Sequence, residues 1–184
     1  MTSTVTTAPS TVERVGATSA VVAGLTAVVL GATAAISPAT VGSGWFATGG
    51  TMALLFAAGV VGTRRGLGGP RTTMVALGVA ACATVLFGLA HFYAVLDEDT
   101  AVLLFSVFMI VGAGALVVAG AAAVRAGTGT ALQRTALLLT GIWPIATIPA
   151  GAALGGLPHF LAIALWGVCW VLLGVSLFRR GGGS

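Results

Sequence analysis

Six uninterrupted apolar runs, at residues 17–36, 45–62, 72–95, 101–124, 131–152 and 159–178, govern what this chain of 184 residues can become. Each is close to the ~20 residues that carry a helix across ~30 Å of hydrocarbon. A bilayer core offers no water to satisfy the backbone, so such runs adopt the helix, which closes its own hydrogen bonds. A β-barrel would show short alternating segments, and these runs do not alternate. Composition agrees: 58% of the residues are hydrophobic and 7% are charged. An ordinary soluble domain carries about a quarter charged residues. The expected fold is an all-α integral membrane protein, a six-transmembrane-helix bundle over residues 16–180. Residues 1–15, rich in Thr and Ser, read as a flexible tail, and residues 181–184 as a linker or tag remnant.

Charge sets the orientation. All eight basic side chains are Arg. Arg14 precedes the first run, and Arg64, Arg65 and Arg71 lie between the second and third. Arg125 and Arg134 flank the loop between the fourth and fifth, and Arg179 and Arg180 follow the sixth. With both termini in the cytoplasm, every Arg falls on the cytoplasmic side while Asp97, Glu98 and Asp99 face outward. That is the distribution the positive-inside rule describes. Arg14, residues 21–30 and the small residues Ala32 and Ala34 also have the outline of a cleavable signal peptide, which would leave five spans. The long polar leader with Glu13 favours a retained first span. The absence of Lys beside abundant Ala, Gly and Val reads as a GC-rich bacterial genome, hence an inner (plasma) membrane. Scattered cations do not track a phosphate backbone, which argues against nucleic acid as a partner. Arg64, Arg65 and Arg71 are placed to meet anionic lipid headgroups at the cytoplasmic face.

Catalytic patterns are scarce. Without Lys there is no Schiff-base amine and no P-loop lysine, and neither HExxH nor GxSxG occurs. No acid sits in the middle of a run, so a carboxylate proton relay is not expected. Cys82 and Cys169, both inside apolar runs, read as small buried thiols.

Two places could carry chemistry. His91 closes the third run and His159 opens the sixth, on the side of Asp97, Glu98 and Asp99. Two imidazoles at equal depth could ligate a divalent metal or haem, with the acids as further ligands. The plainer reading places both rings in an interfacial belt with Trp45 and Tyr93. The second place is the fifth run, where Pro144 removes the donor that would have met the carbonyl of Thr140 and so predicts a kink. Thr140, Trp143, Pro144 and Thr147 share one helical face, and Pro149 follows. Such a face can line a carrier's substrate site, although an ordinary kinked helix looks the same.

Small residues mark where helices meet in lipid. Ser19, Thr26 and Thr33 recur at heptad spacing with Ala23 and Ala27 nearby, as do Gly167 and Gly174; Gly49, Ala53 and Ala57, and Ala115, Ala119 and Ala123, recur every four residues. These stripes favour a tightly packed bundle, a homo-oligomer or a subunit beside a partner membrane protein. The functional expectation is a non-enzymatic membrane component. A carrier or pore for a small uncharged substrate and an outward-facing redox protein are the alternatives.

Overall fold

The computed structural model describes residues 10–178, and among them there is no strand. Six helices follow one another: α1 (Thr11–Ile36), α2 (Ser43–Leu67), α3 (Arg71–Tyr93), α4 (Glu98–Ala126), α5 (Ala131–Leu154) and α6 (Gly156–Phe178). A 3-10 turn, Pro38–Thr40, lies between the first two. Among the described residues, α1, α2, α3, α4 and α6 provide five helices long and apolar enough to cross a membrane. This is a multi-pass membrane protein.

Local chemistry sets the helix ends. Ser10 and Glu13 form a capping box, the Ser10 amide donating to Glu13 Oε2 at 2.7 Å and the Glu13 amide to Ser10 Oγ at 3.4 Å. This box starts α1 at Thr11, inside the stretch expected to be a flexible tail; residues 1–9 and 179–184 lie outside the described residues. Thr130 and Gln133 repeat the device at α5, with bonds of 2.9 and 3.2 Å. Gly127 closes α4 in the left-handed conformation at φ 66°, where a Cβ would be strained.

Each helix packs on its neighbours in sequence, and α6 returns to α1 to close a ring. The α1–α6 seam is the most extensive, because its backbones approach closely. A Cβ at Gly24 would stand 2.6 Å from the Gly167 carbonyl oxygen, and one at Gly167 would stand 2.5 Å from that of Gly24. Gly31 and Gly174 make the same approach one heptad along. Ala27 packs into this seam against Gly167, while Ala20 meets Gly59 of α2; both, like Ala23, are fully buried. The expected stripe of Ser19, Thr26 and Thr33 is not this seam. Thr33 is exposed, and Thr26 and Thr33 bond the carbonyls one turn back, at 2.9 and 2.8 Å. Ala53 and Ala57 of α2 and Ala119 and Ala123 of α4 are buried as expected.

Aromatic rings fill the middle of the ring of helices. Phe56 of α2 stacks on Trp170 of α6 with centroids 4.1 Å apart, and Trp166 leans on Phe56 at 5.5 Å. Phe87 of α3 meets Trp166 edge-on at 6.5 Å. Cys169 is buried here, whereas Cys82 is exposed on the outside of α3, against the expectation of two buried thiols.

Candidate functional site

The face of α5 singled out in the sequence lies against α6. Pro144 is fully buried, and α5 stays helical across it. The Thr140 carbonyl, which Pro144 leaves without its helical donor, accepts the Trp166 indole N–H at 3.0 Å. Trp143 returns the gesture, its Nε1 donating to the Ala162 carbonyl at 2.9 Å. The Thr140 hydroxyl donates within its own helix to the Ala136 carbonyl at 2.7 Å and also lies 3.4 Å from the Cys169 carbonyl. Thr147 donates to the Trp143 carbonyl at 2.7 Å. The four residues are thus brought together, and their polar atoms find partners inside the protein. Trp166 is the residue that sequence reasoning missed. An indole N–H only donates, and a proline in a neighbouring span creates the acceptor it needs, so the pair was legible in principle.

A cavity of about 20 Å³ remains between α3, α4 and α6, bounded by Thr84, Phe87, Met109, Leu116, Trp166 and Trp170 among others. That is room for roughly one water molecule. Trp170 Nε1 is buried without a hydrogen-bond partner among the described residues.

The two histidines have separate surroundings. His91 Nδ1 stands 2.9 Å from the Phe87 carbonyl. A carbonyl only accepts, so Nδ1 carries the proton and Nε2 keeps its lone pair. The ring is wedged between Phe105, at 4.2 Å, and Gly49, where a Cβ would stand 2.5 Å from His91 Cδ2. His159 packs near Phe160 at 5.6 Å, and Phe160 meets Trp45 edge-on at 6.0 Å. Its Nδ1 is buried without a hydrogen-bond partner among the described residues. Among the described residues no three His, Cys, Asp or Glu side chains converge as a metal-holding group. Asp97, Glu98 and Asp99 begin α4 instead. Asp97 is the N-cap: its Oδ2 accepts the Thr100 hydroxyl at 2.7 Å and its Oδ1 the Thr100 amide at 3.2 Å. Those bonds hold the Asp97 carboxyl below the usual carboxylate range, the hydroxyl contributing most. Glu98 and Asp99 occupy the first turn, where the helix dipole favours anions.

At the opposite end the arginines gather. Gly69 of the α2–α3 loop abuts Thr128 of the α4–α5 loop, a Cβ there standing 2.8 Å from Thr128 Oγ1. Gln133 Nε2 donates to the Ser176 carbonyl at 3.3 Å, tying the start of α5 to the end of α6. Gly16 packs on Gly62 and brings the start of α1 to the same end. Arg14, Arg64, Arg65, Arg71, Arg125 and Arg134 therefore share one end of the bundle; Arg179 and Arg180 lie outside the described residues. They do not form one cluster. The Arg64 guanidinium reaches along the α2–α3 crease to Gly78, 3.9 Å from where its Cβ would stand, while Arg71 lines the α3–α4 crease.

No family model matches this chain, and no curated protein or solved structure is similar to it.

Proposed function

We propose that the chain is a non-enzymatic membrane component that acts through its perimeter, as a homo-oligomer or as an accessory subunit beside another membrane protein. One observation carries the reading: the Trp166 indole donates to the Thr140 carbonyl at 3.0 Å. The backbone group that a carrier would offer to a substrate is engaged by the protein itself. A residual cavity of about 20 Å³ fits the same view. The interior then serves stability, and the outer faces are what the molecule offers to partners. On α4 the exposed residues Val102, Leu103, Val107, Ile110 and Val111 form such a face.

The topology that goes with this reading has six crossings, both termini on the cytoplasmic side, and the inner (plasma) membrane of a bacterial cell as its site. Its support is the collection of arginines at one end of the bundle and of Asp97, Glu98 and Asp99 at the other. The short connections on both sides of α5 also support a return of that helix across the membrane.

The test is the mass of the protein–detergent complex in a mild detergent, with the co-purifying proteins identified. A dimer or larger assembly, or a stoichiometric partner, is expected. A strict monomer with no partner would end the proposal. The absorption spectrum and metal content of the same sample test the redox alternative. A haem band lost in the His91→Ala variant would replace the present reading.

A further inference from the structure

The outer crease between α3 and α4 ends in two cations. Two hollows of about 490 and 590 Å³ adjoin along it and share Thr72 and Val118. Arg71, Val75 and Val79 bound the first along one stripe of α3, and Arg125 bounds the second near the end of α4. Val75 and Val118 are each at least half exposed, so the crease opens on the perimeter of the bundle. Both guanidinium groups are exposed, and among the described residues no carboxylate pairs with either. Glu13 is engaged by Ser10, and the other three acids begin α4 at the far end. Arg71 opens α3, whose N-cap, Pro70, brings no side chain to the first amides, so the helix adds its own partial positive charge at the same spot.

We propose that this crease holds one anionic phospholipid, its phosphate between Arg71 and Arg125 and an acyl chain along Val75, Val79 and Val118. The complementarity is amphiphilic. Cations stand at one end, and the rest of the lining is almost wholly apolar. Val79 lies about 12 Å deeper than Arg71 at ~1.5 Å of rise per residue, a path that suits a hydrocarbon tail. A small free anion would use the cations and leave the crease unfilled. Arg64, on the opposite crease of α3, takes no part. The assignment does not depend on which side of the membrane the arginines face.

Native mass spectrometry of the full chain in detergent tests it, with dioleoyl phosphatidylglycerol, dioleoyl phosphatidylcholine and glycerol 3-phosphate as probes. Retention of phosphatidylglycerol over phosphatidylcholine is expected. The double variant Arg71→Gln/Arg125→Gln should lose about thirtyfold in affinity for the anionic lipid, from ~1 kcal/mol per basic residue. Arg71→Lys/Arg125→Lys should keep most of it, and Arg64→Gln/Arg65→Gln all of it. Val118→Trp, which fills the crease and leaves both cations, should also weaken binding and keeps the test valid if the double Gln variant fails to fold. Equal retention of the two lipids would overturn the proposal. So would equal losses from the two pairs of arginines, which describe a diffuse basic surface. Glycerol 3-phosphate binding as tightly as phosphatidylglycerol, or an unaffected Val118→Trp, would equally overturn it.

Discussion

Trp166 and Trp170 stand one turn apart on α6, both buried, and differ in one bond. Trp166 donates to Thr140, whereas Trp170 Nε1 has no partner among the described residues. Substituting each by Phe removes similar area, so the comparison isolates the hydrogen bond. Trp166→Phe strands a buried carbonyl, a penalty of ~1–3 kcal/mol, while Trp170→Phe deletes an unpaired donor. Trp166→Phe is therefore expected to be the less stable variant by about that amount in an SDS unfolding titration from mixed micelles. Equal losses would show that the bond contributes nothing. Asp97 gives a second test at this scale. Its folded pKa lies below its ordinary value because Thr100 bonds the ionised form. The stabilisation is thus present above the unfolded pKa of ~3.9 and is lost as pH falls through the lower folded value. Between neutral pH and about pH 3, Asp97→Asn should lose less thermal stability than the wild type. A wild-type curve no steeper than the variant's would refute the capping role.

Helix seams depend on which small residues face which neighbour. At Gly24 and Gly167 a methyl group would collide with backbone, which cannot yield, whereas Gly114 of α4 has open space around its missing Cβ. Gly24→Ala or Gly167→Ala is expected to destabilise by ~1–3 kcal/mol as overpacking. Gly114→Ala should be neutral, or stabilising by up to ~1 kcal/mol from helix propensity. Circular-dichroism melts in detergent read both; a Gly114→Ala loss matching that of Gly167→Ala would remove the seam argument. Run length and apolarity made the helices legible, and the spacing of Gly167 and Gly174 marked a true seam. Thr26 and Thr33 misled, because Thr hydroxyls inside a span bond the carbonyl one turn back and need no neighbouring helix, whereas Ser19 is buried as a packing residue is. The capping boxes of Ser10 with Glu13 and Thr130 with Gln133 were written in short sequence patterns that hydropathy alone overlooks. Pro144 announced an orphaned carbonyl, but Trp166 lies 26 positions beyond Thr140, and only the return of α6 onto α5 joins them.

For the whole molecule, ring closure is what turns separate spans into one body, and no local pattern announced it. Ala and Gly recur on every helix, so the pairing of α6 with α1 emerges only when all six are packed. The same closure makes the side of the membrane a collective property. The α2–α3 loop touches the α4–α5 loop through Gly69 and Thr128, so these two loops must share a side. If α5 crosses, Leu157, just inside α6 and exposed, must lie on the side of Glu98 and opposite Thr128. Single variants Glu98→Cys, Thr128→Cys and Leu157→Cys, in a background with Cys82→Ala and Cys169→Ala, separate the cases. An impermeant maleimide added to intact cells should label the cysteines at 98 and 157 and reach the one at 128 only after permeabilisation. Labelling at 98 but not at 157 would mean that α5 does not cross, leaving five spans. Labelling at 128 alone would invert the protein, and arginine placement would then have failed as a guide to its orientation.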